Sequence, residues 1–144
     1  MEQHHLFYIT TNMKKHFLGL ALAMLISFSG CSQAQPAETA DITVSDPQPN
    51  VEISSPLAIQ GSAVGTWFFE ATFPVELVDA NGTVIAQGLV QALSDWQTEE
   101  LVPFEGTLEF TTDALAGELI LRKDNPSGLP ENDEEIRIPV RFSE

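Results

Sequence analysis

The chain of 144 residues contains one cysteine, Cys31, and its three histidines (His4, His5 and His16) all precede it. A single thiol can form no internal disulfide and no cysteine cluster for zinc. Beyond Cys31 there is no imidazole, so neither a Ser–His pair nor a histidine-ligated metal can be assembled there. Cations are scarce as well: Lys plus Arg number 6 against 21 Asp plus Glu, a formal net charge of −15. Such a chain repels phosphate backbones and is not drawn to anionic lipid, which argues against nucleic acid as a partner and leaves covalent or hydrophobic routes to a membrane. The uncharged run Phe17–Phe28 is too short to cross roughly 30 Å of bilayer hydrocarbon as a helix.

What stands around that run is an address. Met13-Lys14-Lys15-His16 comes before it and Ser29-Gly30-Cys31 after it. A basic start, a short apolar stretch and small residues make a secretory signal peptide, expected over residues 1–30, with Met13 a more natural start than Met1. Ser29-Gly30-Cys31 resembles the bacterial lipobox, although Phe28 stands where Leu is usual. The resemblance implies a diacylglyceryl group on Cys31 and cleavage before it. Two or three acyl chains anchor stably, since each buried methylene contributes about 0.8 kcal/mol. An ordinary signal peptide with an incidental cysteine is the plainer alternative. The lipobox reading puts the mature protein on the extracytoplasmic side of a membrane. Because Ser32, not Asp, follows the cysteine, that membrane is the outer one in a Gram-negative cell. Cleavage removes every histidine together with Lys14 and Lys15.

Residues 31–50 are polar, rich in proline and without sustained period, and so read as the lipidated cysteine and a flexible linker, with Ile42-Thr43-Val44 the only strand-like run in it. From Val51 to Glu144 the period is two and turn residues recur at sandwich spacing. Phe69, Ala71, Phe73, Val75 and Leu77 fall on one face of a strand, with Glu70, Thr72, Pro74 and Glu76 on the other. Asn81-Gly82 reads as a two-residue hairpin with positive φ at both positions. Phe104, Leu108 and Phe110, then Leu119 and Leu121, mark two further half-buried strands. The last strand sets Ile136, Ile138, Val140 and Phe142 against Glu135, Arg137, Pro139 and Arg141. Pro139 cannot donate to a ladder, which predicts a sheet edge or a bulge there. No amphipathic helix stands out.

Ser55-Pro56 followed by Ile59-Gln60-Gly61-Ser62-Ala63, Phe69-Glu70-Ala71-Thr72 leading to Val75-Glu76-Leu77-Val78-Asp79, then Asn81-Gly82, Trp96, Phe104 and Ile138-Pro139-Val140 come in an order that resembles Gmad2, the immunoglobulin-like domain of bacterial spore germination. The resemblance covers Val51 to Phe142. It implies an all-β, immunoglobulin-like antiparallel β-sandwich acting as a non-catalytic extracytoplasmic module, with no catalytic residues and no cofactor to carry over. Members often sit beside another domain, whereas here the module follows a tether, so a germination role is not implied.

Three places invite chemistry. Trp67, Phe68 and Phe69 are consecutive, so strict alternation cannot bury all three, and Trp67 and Phe68 are candidate ligand-binding anchors. Burial of the rings behind an irregularity at Gly65-Thr66 is the structural alternative. Asp124, Asp133 and Glu134 bracket a loop with Pro126, Gly128 and Pro130 whose oxygens could take Ca²⁺, although the spacing matches no EF-hand and a solvated acidic loop that preserves solubility is the plainer reading. Paired carboxylates could support glycoside hydrolysis, but acids are so abundant that proximity of two is expected by chance.

The sequence thus reads as a non-catalytic cell-envelope lipoprotein, anchored through Cys31, that displays a binding or scaffolding module to an envelope protein or a cell-wall glycan. A calcium-dependent or carbohydrate-binding domain is the first alternative and a paired-carboxylate hydrolase the second.

Overall fold

The computed structural model describes residues 37–39 and 41–143. The expected signal peptide, Cys31 and the first part of the linker lie outside the described residues. Nine strands follow in order: β1 (Ala37–Glu38), β2 (Ile42–Asp46), β3 (Glu52–Ile53), β4 (Leu57–Val64), β5 (Thr72–Asp79), β6 (Val84–Ala92), β7 (Leu101–Leu108), β8 (Ala116–Arg122) and β9 (Glu135–Phe142). Short 3-10 turns occupy Gly65–Trp67 and Pro130–Asn132.

The strands hydrogen-bond in the order β1-β2-β4-β7-β6-β5-β8-β9-β3. Neighbours are antiparallel except β3, which runs parallel to β9. β6 and β7 pair only through Gln91↔Glu105 and Ala92↔Phe104. There the sheet curls, and β2–β4–β7 folds over β6–β5–β8–β9 as the second layer of the expected immunoglobulin-like sandwich. Two glycines let the layers close at the bend: a Cβ on Gly106 would lie 2.7 Å from Val90 Cγ1, and one on Gly88 2.6 Å from Leu108 Cδ2.

The sandwich begins earlier in the chain than composition suggested. Ile42 and Val44, placed in the linker by the polar residues around them, are fully buried, and β2 pairs with β4 from Ile42↔Ala63 onward. After Pro47 the chain changes layer and β3 joins β9. Segment 42–53 therefore ties one edge of each layer together, and the sheet takes up residues that the linker was expected to hold as far as 50.

The core follows the alternation closely. Phe73, Val75 and Leu77 of β5, Leu119 and Leu121 of β8, and Ile136, Ile138, Val140 and Phe142 of β9 are all buried. Glu135, Arg137, Pro139 and Arg141 are exposed. Phe73 centres an aromatic cluster, with ring centroids 5.6 Å from Trp67, 5.1 Å from Phe68 and 5.0 Å from Phe104. Beyond its pairing with β8, β9 is covered by β3 only at Arg141 and Phe142, so Pro139 sits on an edge, where a missing donor costs no ladder bond.

Two turns differ from expectation. At Asn81-Gly82 only the glycine has positive φ (82°). Asp79 N–H donates to Thr83 O at 2.9 Å and Gly82 N–H to Asp79 O at 3.0 Å, which makes a three-residue loop with glycine in the left-handed position. Asp79 Oδ1 also accepts the N–H groups of Asn81 and Thr83, both at 2.8 Å. The two-residue turn with positive φ throughout lies elsewhere, at Glu70 (50°) and Ala71 (65°). Phe69 and Thr72 bracket it with reciprocal backbone bonds of 2.9 and 3.1 Å. Phe69 therefore belongs to the strand segment before the turn rather than to β5, and it leaves the face assigned to it: it is 43% exposed.

Candidate functional site

Among the places singled out in sequence, Trp67 and Phe68 of the aromatic run are core, and Phe69 is left outside it. The 3-10 turn at Gly65–Trp67 breaks the period and swings Trp67 (0% exposed) and Phe68 (4%) inward together, so neither is available as a ligand anchor. Trp67 Nε1 is buried without a hydrogen-bond partner, and its backbone oxygen accepts Asp124 N–H at 3.0 Å.

The acidic loop does not converge on a metal. Asp133 Oδ1 accepts Asn125 Nδ2 at 2.7 Å, and Glu134 pairs with Lys123 at 3.4 Å. Among the described residues no group of three or more His, Cys, Asp or Glu side chains is placed to hold an ion. Asp124, Asp133 and Glu134 are surface carboxylates at one end of the sandwich, two of them already served by donors from the same loop region.

The remaining cations are drawn into one strip. Of the basic residues after Cys31, Arg122, Lys123, Arg137 and Arg141 all fall in β8, β9 or the residue following β8. Arg122 bridges Glu76 (3.0 Å) and Glu135, while Arg137 bridges Glu135 (2.7 Å) and Glu118 (2.9 Å). Gln87 Nε2 adds a 2.6 Å bond to Glu76. The cross-strand register explains the chain of pairs, because Glu76, Ile120 and Arg137 lie in one row of the outer face, with Arg122 and Glu135 in the next. Beneath the network Ile120 is 2% exposed although it points away from the core. The Gln87 amide, and then the Arg122 guanidinium, hold the Glu76 carboxyl below its usual range. The backbone N–H of Thr83 does the same for Asp79, and Glu135 with Glu118 raises Arg137. Downward shifts are the reverse of what a carboxyl acid catalyst needs.

The other layer carries the open site. Glu105 of β7 is the register partner of Gln60 on β4 and of Gln91 on β6, so amide, carboxylate and amide stand in a row across three strands. Asp46, opposite Gln60 on β2, extends the row. A groove of about 660 Å³ runs over it, lined also by Ala58, Thr107, Leu89 and Leu93. Leu89 and Leu93 are 59% and 55% exposed, and Glu105 has no ion-pair or hydrogen-bond partner for its carboxylate among the described residues. Apart from Gln60, which belongs to the motif that resembles Gmad2, none of these residues is marked in sequence, and none is marked there as a binding residue. The available signal was the doublet Leu89-Val90, in which alternation must send one apolar side chain outward: Val90 is fully buried and Leu89 is not.

Residues 41–128 match the sequence model of Gmad2, the immunoglobulin-like domain of bacterial spore germination. The match starts at Asp41, in step with β2, and so covers the strand that composition had assigned to the linker. It stops at Gly128, before β9, which completes the second layer. Neither the curated proteins nor the solved structures contain a match to the chain.

Proposed function

Because the chain belongs to the Gmad2 family of immunoglobulin-like domains, we propose that it is a non-catalytic binding module of the bacterial cell envelope. Lipid on Cys31 holds it outside the membrane, and the β4–β7–β6 face is presented to a partner. The family is not a known enzyme family. The observation that carries the reading is the groove over Gln60, Glu105 and Gln91, where two exposed leucines flank side chains that have no partner among the described residues. On the network face, by contrast, Arg122 and Arg137 are already held by carboxylates. Exposed aliphatic side chains beside a concave polar surface are what a docking site offers, whereas the side chains of the network face are engaged with one another.

Photo-cross-linking in cells tests it. A photoreactive side chain at Leu89 is expected to give a discrete adduct, whereas one at Arg137 gives none, and the Leu89 adduct is lost when Cys31→Ser releases the protein from the membrane. Equal labelling from both positions, or no adduct from either, contradicts the proposal.

A further inference from the structure

Resting on that reading, we infer that the occupant of the groove is a cationic, extended polypeptide segment carrying aliphatic side chains. Charge makes the first argument. Arg122, Lys123 and Arg137 are each paired with a carboxylate, and Arg141 Nε donates to Asn50 O at 3.2 Å, so the described basic residues are all engaged and none lines the groove. Glu105 lines the groove between Gln60 and Gln91, and the β6–β7 connection, which reaches the groove at Leu93, carries Asp95, Glu99 and Glu100, all exposed. An anionic occupant is repelled by this field and a cationic one is drawn in.

Shape and hydrogen bonding narrow the chemistry further. Gln60 and Gln91 each offer an amide donor and an amide acceptor, the complement of the alternating N–H and C=O groups of an extended backbone. Leu89 and Leu93 supply aliphatic anchors, and among the described residues no aromatic ring lines the groove to stack a sugar. A volume of about 660 Å³ lies within the range of ligand sites.

The probe is a fluorescein-labelled eight-residue peptide of alternating lysine and valine, titrated by anisotropy against the full chain in detergent, with Glu–Val and Lys–Gly peptides for comparison. The Lys–Val peptide is expected to bind and to weaken as salt is raised, while the Glu–Val peptide does not bind and the Lys–Gly peptide binds less tightly. Glu105→Gln and Leu89→Ser each weaken binding by roughly threefold to tenfold. Glu52→Gln, on β3 and away from the groove, leaves it unchanged. All three variants alter exposed side chains, and thermal melts check that each is folded. Equal weakening by Glu52→Gln and Glu105→Gln would assign the effect to diffuse charge and overturn the inference. So would absence of Lys–Val binding, or binding of cell-wall glycan that Glu105→Gln does not disturb. A Leu89 cross-link in cells alongside no peptide binding would sink the inference and leave the binding-module reading standing.

Discussion

Gly61 and Phe104 are register partners across the β4–β7 ladder, and the Phe104 ring fills the space that a side chain at position 61 would need: a Cβ there would lie 2.6 Å from Phe104 Cζ. Thr43 O closes the same space from β2. Since Phe104 also packs on Phe73, displacing its ring disturbs the aromatic cluster. Gly61→Ala is expected to cost about 1–3 kcal/mol and lower the melting temperature by several degrees. A melt indistinguishable from that of the parent chain would contradict this packing.

The turn at Glu70–Ala71 makes the opposite prediction. Both residues hold positive φ, which side chains resist and which Asn-Gly accepts. Ala71→Gly, or Glu70→Asn with Ala71→Gly, is expected to stabilise the fold by about 0.5–1 kcal/mol, read as a higher denaturant midpoint at unchanged slope. A lower midpoint would show that the turn is not under this strain.

The strip from Glu76 through Arg122, Glu135 and Arg137 to Glu118 is half-exposed, so its energy is modest. Arg137→Ala is expected to lower the melting temperature slightly at low ionic strength, and less at high salt, where the pairs are screened. A cost independent of salt would point to lost packing over Ile120 instead of lost charge.

Protonation gives a second handle, at Glu76 in the strip and at Asp79 in the β5–β6 hairpin. The carboxyls of Glu76 and Asp79 are held below their ordinary values in the fold, so the folded state binds protons less readily than the unfolded chain. Their contribution to stability is present above the ordinary carboxylate range and is lost as pH falls through and below about 4. Glu76→Gln is expected to flatten the acid limb of a stability-against-pH curve, and an unchanged limb would contradict the assignment.

How legible this was in sequence depended on the period. In β9 every second residue is apolar and the burial is as the alternation dictates, because one face meets the core and the other meets water. Ile42-Thr43-Val44 obeys the same rule, but its polar, proline-containing neighbours concealed it. Phe69 was misplaced because the Glu70–Ala71 turn contains neither Gly nor Asn and leaves no trace in composition. The Asp79–Thr83 hairpin was visible, since Asn-Gly marks a turn, but the Asp79 side chain selected the longer loop. The groove could not be read at all. It depends on Gln60 of β4 meeting Glu105 of β7 across two intervening strands, and on the two-pair β6–β7 ladder bringing Gln91 beside Glu105, and both registers are set by the fold.

Tethered display is tested most directly by the intact mass of the protein extracted from the membrane fraction of a bacterial host, beside its Cys31→Ser variant. The parent chain is expected to begin at Cys31 and to carry added acyl mass, with the variant unacylated and absent from the membrane. A parent chain that is uncleaved, or cleaved without acyl mass, would contradict it.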